Sequence, residues 1–108
     1  MYYKSKYHAI KTYANGIKFD SKKEATRYNE LRLLEKVGAI SNLKLQVPYV
    51  LIDKSVYGRQ IVYKADFVYY DNEIKKEIVE DSKGMKTPVY RLKKRMLAER
   101  YGIIIKES

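Results

Sequence analysis

The chain has 108 residues, with 23 Lys+Arg against 13 Asp+Glu and a formal charge of +10. That length suits one domain with a modest core, and 45% apolar residues with two prolines and five glycines set it apart from disordered chains. With no cysteine and His8 as the single histidine, disulfides, thiolate metal sites and cysteine nucleophiles are excluded, and zinc hydrolase chemistry is disfavoured.

The longest apolar runs, Tyr49–Ile52 and Phe67–Tyr70, have four residues. No membrane-spanning helix fits such runs, and the first twenty residues contain no signal-peptide core. A soluble cytoplasmic protein with no membrane partner is therefore expected. The charge is uneven. Residues 1–23 carry six Lys and one Asp, a net +5, and residues 83–106 carry eight basic residues and one Glu, a net +7. Between them, residues 24–82 hold nine basic and ten acidic residues, a net −1. Two basic ends around a near-neutral centre suit a polyanionic partner.

The first thirteen residues alternate aromatic and basic side chains without helical periodicity, so residues 1–20 read as a basic, tyrosine-rich arm or small hairpin. Asn15-Gly16 is a turn signal that pairs Ile10–Tyr13 with Ile17–Phe19. Ser21 and Glu24 form a capping box. Ala25, Tyr28, Leu31 and Leu34 then predict a helix from about Lys22 to Val37, ended by Gly38. Leu43–Ile52 reads as a strand, with Pro48 favouring an edge. Gln60–Tyr70 and Ile74–Lys83 form an antiparallel hairpin about Asn72-Glu73. Thr87 and Pro88 start a second helix that runs to Tyr101, with Val89, Leu92 and Met96 as its apolar side. Gly102 stops it before a short strand, Ile103–Lys106. The fold class is α/β, an α+β mixed sheet in the order α-β-β-β-α-β. Its last β-α-β step requires a parallel crossover.

Asp66 lies inside an apolar strand, where an unpartnered charge is costly. The next strand ends Glu80-Asp81-Ser82-Lys83-Gly84. Strand alternation puts Asp81 and Lys83 on one face and Glu80 and Ser82 on the other. Folding about Asn72-Glu73 sets Asp66 opposite Val79 and diagonal to Asp81, close enough for two carboxylates to converge on a hard cation such as Mg²⁺ or Mn²⁺. Asp/Glu-x-Lys triplets also occur at Asp20–Lys22 and Glu73–Lys75. Only Asp81–Lys83 ends an apolar strand paired with another acid-bearing strand. A one-residue slip in register would present Glu80 instead of Asp81.

Phe19–Leu31, Tyr63–Phe67 and Val79–Thr87 together resemble the PD-(D/E)XK nuclease superfamily, over essentially the whole chain. The likeness is nearest to a small phage-borne family long catalogued as a domain of unknown function. The resemblance implies a restriction-endonuclease-like core in which Asp66, Asp81 and the Ser82 carbonyl bind Mg²⁺ or Mn²⁺. Lys83 would orient the attacking water and help to deprotonate it. Ala65 stands where the superfamily's name has proline. Glu24 has two readings: the capping acid that its position suggests, and the first-helix acid of the superfamily's catalytic set.

The second helix offers Arg91, Lys93, Lys94 and Arg95 for phosphates, and Lys86 and Thr87 precede its N-terminus. Lys4, Lys6 and Lys11, among Tyr2, Tyr3 and Tyr7, suit stacking on bases. The reading is a metal-dependent endodeoxyribonuclease acting on DNA. The resemblance adds branched or junction DNA in phage recombination or packaging, and a homodimer. The alternatives are a non-catalytic nucleic-acid-binding protein on the same fold, and a phage adaptor that binds a host protein.

Overall fold

The computed structural model describes residues 12–82 and 86–108. Strands β1 (Thr12–Ala14) and β2 (Ile17–Phe19) pair antiparallel around Asn15-Gly16. Both turn residues have positive φ, 52° and 77°, which an Asn-Gly pair accommodates at little steric cost. Helix α1 (Lys22–Lys36) starts where Ser21 Oγ accepts from the Glu24 N–H at 3.1 Å. It buries Ala25, Tyr28 and Leu31, while Leu34 stays at the margin. Phe19 stacks on Tyr28 with ring centroids 4.9 Å apart, so the small hairpin is sewn to α1.

A mixed sheet follows in the order β3 (Ile40–Ile52), β4 (Ile61–Asp71), β5 (Lys76–Asp81), β6 (Lys106–Glu107). The first three strands are antiparallel and β6 joins β5 in parallel, as the β-α-β step requires. Pro48 sits on β3, an edge strand, where its missing N–H is tolerated. Helix α2 (Pro88–Tyr101) is capped by the Thr87 hydroxyl, which accepts from the Tyr90 N–H, and ends at Gly102 with φ 69°.

The helices cover opposite faces of the sheet. Phe67 and Tyr69 pack into one core with Tyr28 and Leu31 of α1. Val68 and Val79 pack into the other with Tyr90 and Leu97 of α2. Along β4, residues 65–69 are therefore all buried, which explains an apolar run without alternation.

Three expectations are corrected. The β4–β5 turn uses four residues, Asn72–Lys75: the Asp71 carboxylate accepts from the N–H groups of Glu73 and Ile74, and Lys75 takes a left-handed φ of 56°. Pairing therefore runs Val68↔Val79 and Phe67↔Glu80, two residues from the expected register. Because the shift is even, the paired residues Phe67–Asp71 and Lys76–Glu80 keep their expected faces relative to one another. Helix α2 buries Tyr90 and Leu97, leaving Val89 and Leu92 exposed. The final strand covers only Lys106–Glu107, with Ile105 buried just before it.

Candidate functional site

The β4–β5 pairing ends at Phe67↔Glu80, and Asp66 and Asp81 are the next residues on the two strands. Both carboxylates are buried, and both act electrostatically on the Tyr63 and Tyr90 hydroxyls. The Ser82 N–H donates to Asp66 Oδ2 at 2.9 Å, so Asp66 grips the backbone of the segment leaving β5. The Tyr63 hydroxyl donates to Asp81 Oδ2. Burial, then that hydrogen bond, push the Tyr63 hydroxyl well above the usual phenol range, and it remains a donor at neutral pH.

Glu24 joins this group through a residue that sequence reasoning missed. Gln46 Nε2 donates to Glu24 Oε1 at 3.4 Å and to Asp66 Oδ1 at 3.3 Å. Gln46 falls between the pairs Leu45↔Phe67 and Val47↔Ala65, opposite Asp66, and has a left-handed φ of 52°. That conformation costs a non-glycine residue about 1–2 kcal/mol. Here it accompanies a change of side: Leu45 packs with the α1 core and Val47 with the α2 core. The available signal was one amide in the apolar stretch Leu43–Val47. Glu24 thus sits in the helix-capping turn while its carboxylate reaches toward Asp66.

Glu80 has different partners. It is fully buried, and Arg27 donates to both its oxygens, Nε at 2.5 Å and an Nη at 3.0 Å, while Tyr69 donates at 2.6 Å. Burial pushes this carboxyl up, but the Arg27, Tyr69 and Ser108 hydrogen bonds outweigh it and hold the group below its ordinary value. Glu80 is thus committed to Arg27 and Tyr69, while Asp81 is held by Tyr63.

The cations differ in what holds them. Lys86 and Lys94 each place Nζ 3.3 Å from Glu107 Oε1, and Tyr90 donates to the other oxygen at 2.8 Å. Tyr90 first, then the two lysines, pull the Glu107 carboxyl down to about 2. Lys93 donates to the Val62 carbonyl at 3.0 Å, and the Thr87 hydroxyl is engaged as the α2 cap. Arg91 and Arg95 are exposed on α2. Beside Ser82, Lys22, Lys23 and Arg27 help to line a groove of about 410 Å³, a second basic approach that the sequence reading did not include. Lys83, Lys4, Lys6 and Lys11 lie outside the described residues.

The donor set fits a hard divalent ion. No group of three His, Cys, Asp or Glu side chains suited to a metal occurs among the described residues. Mg²⁺ is commonly held by one or two carboxylates plus water and substrate phosphate, however. Each carboxylate offers about four lone-pair sites, so the bonds to Gln46, Ser82 and Tyr63 leave Asp66 and Asp81 with coordinating capacity.

The molecule is thus a mixed α+β sheet between two helices, with two buried acids, Asp66 and Asp81, at the end of the β4–β5 pairing. The chain belongs to the family described as "Protein of unknown function (DUF1064)", which matches residues 4–106. No curated protein and no solved structure matches it. No helix among the described residues is long and apolar enough to cross a membrane.

Proposed function

We propose that the protein is a metal-dependent endonuclease of PD-(D/E)XK type that hydrolyses phosphodiester bonds in DNA. The observation that carries this reading is the pair of buried acids just past the end of the β4–β5 pairing, Asp66, which accepts from the Ser82 N–H, and Asp81. Burying two like charges together is expensive unless a cation compensates them. Asp66, Asp81 and the Ser82 carbonyl would hold Mg²⁺ or Mn²⁺, which when bound supplies an activated water and screens charge developing on the phosphate.

The chain's own groups do the rest. Tyr63 fixes the Asp81 rotamer, and Ser82 and Gln46 fix Asp66. Glu24 would position water at the edge of the site, and Lys83 would orient the attacking water for deprotonation. Lys22 and Lys23 beside Ser82, with Arg91 and Arg95 on α2, would hold the DNA backbone, giving strong salt dependence. Cutting both strands of a branched substrate would require a homodimer.

Purified protein should nick supercoiled plasmid and branched duplexes in Mg²⁺ or Mn²⁺, and excess chelator should stop it. Glu24→Gln should slow nicking about 10- to 100-fold with little change in melting temperature, because Ser21 still caps α1. No nicking in either metal contradicts the proposal. Unchanged nicking by Glu24→Gln would confine Glu24 to capping.

A further inference from the structure

The β3–β4 connection carries a tight turn at its tip, Ser55–Gly58. Ser55 and Gly58 exchange two backbone hydrogen bonds, at 3.0 and 3.2 Å, and the Tyr57 N–H donates to Ser55 Oγ at 3.1 Å. With Ser first, Gly fourth and no positive φ between them, the two central positions accept most residue types. Here they are Val56 and Tyr57, 95% and 97% exposed. Isolated exposed apolar residues are ordinary, but two adjacent large ones at the apex of a closed turn contribute nothing to folding.

The support beneath the tip is firm. Arg100 donates to the Leu51 carbonyl at 2.9 Å and pairs with Asp53 at 3.5 Å, and the Tyr101 hydroxyl donates to the Val50 carbonyl at 2.7 Å. The end of α2 therefore braces the base of the hairpin. Asp53, the acid of this connection, is engaged by Arg100, while Lys54 and Arg59 flank the tip and are exposed. An aromatic and an aliphatic side chain on a braced, cationic finger match nucleic-acid chemistry: apolar wedges enter between base steps and tyrosine stacks on exposed bases.

We infer that Val56 and Tyr57 form a wedge that engages unstacked bases where a DNA duplex is interrupted, as at a branch. Tyr57 is nine residues from Asp66. At about 3.3 Å per residue, the tip reaches at most about 30 Å from that carboxylate, roughly nine nucleotides along one strand. The wedge would thus sense an interruption within a helical turn of the phosphate to be cut. The inference rests on the nuclease reading for its consequence, but its test does not require cleavage.

Binding of wild-type protein and Tyr57→Ala to a four-way junction and to an intact duplex of equal length would be measured in chelator by fluorescence anisotropy. Tyr57→Ala should bind the junction at least about ten-fold more weakly and the intact duplex within about two-fold of wild type. Its melting temperature should not move. The chain has no tryptophan, so Tyr57→Trp introduces a single indole reporter. That variant should keep junction affinity, and its fluorescence should be quenched on the junction. Equal junction affinity for wild type and Tyr57→Ala, with unquenched indole, overturns the wedge while leaving the nuclease reading intact. Tyr57-dependent junction binding without cleavage in any metal supports the wedge and removes the nuclease.

Discussion

Asp81→Asn is expected to slow metal-dependent nicking at least about 1000-fold without unfolding the protein. The substitution keeps the side chain's size and an oxygen able to accept from Tyr63, whose hydroxyl now donates to Asp81 Oδ2. What it removes is one negative charge from a fully buried position at the end of β5. Losing a ligand charge removes both metal affinity and the electrostatic stabilisation the metal gives the transition state, about 4 kcal/mol for a 1000-fold effect. Stability should move the other way or not at all, since neutralising one of two buried acids relieves repulsion. A variant that is inactive yet at least as stable as wild type is the signature of residues kept for function. A structural ion-pair role predicts the reverse: a lower melting temperature and undiminished nicking.

The second large effect concerns Arg27. Arg27→Met should destabilise the fold by about 3–5 kcal/mol, because it removes the countercharge of the fully buried Glu80 and leaves it the neutral donors Tyr69 and Ser108. For a domain of about 100 residues, that is a fall of at least about 12 °C in melting temperature. The double change Arg27→Met with Glu80→Met should recover much of the loss, since an apolar pair needs no compensation.

The pH dependence provides an independent check. In the wild type, Arg27, Tyr69 and Ser108 hold the Glu80 carboxyl below its ordinary 4.5 against the upward push of burial. Its stabilising contribution is complete above about pH 4.5 and is lost as pH falls through the lowered folded value. Without Arg27, the strongest opposition to burial is gone and the folded value rises relative to wild type, so the single variant loses less stability on acidification than wild type does. Chemical denaturation between pH 4 and 7 should show the gap between wild type and Arg27→Met narrowing as pH falls. A gap independent of pH would contradict this account of Glu80.

Residues whose structure is set by immediate neighbours were readable in the sequence. Ser21, Thr87 with Pro88, Asn15-Gly16 and Gly102 mark ends and turns by local hydrogen bonding and φ, and the structure uses each as expected. Asp66 and Asp81 were legible as acids set in the apolar stretches of adjoining strands, and both are buried. The turn that set the true register was not legible, since it depends on Asp71 accepting two backbone N–H groups and on Lys75 adopting a left-handed conformation.

The α2 face was misread because Tyr90 looks half-polar. Its ring is buried while its hydroxyl reaches Glu107. That pattern also accounts for part of the tyrosine excess: Tyr63, Tyr69 and Tyr90 are buried rings that each donate to a carboxylate, Asp81, Glu80 and Glu107 respectively. Phenylalanine would fill the same space without a donor. The link from Glu24 through Gln46 to Asp66 joins three elements far apart in sequence, and no spacing rule reveals it.

The central claim is that Asp66 and Asp81 hold a divalent cation. The most direct measurement is titration of the purified protein with Mn²⁺, the free ion being counted by electron paramagnetic resonance. Wild type should take up Mn²⁺, Asp66→Asn and Asp81→Asn should each bind it at least about ten-fold more weakly, and Glu80→Gln should bind it as wild type does. No uptake by the wild-type protein, or equal uptake by all four, would contradict the account.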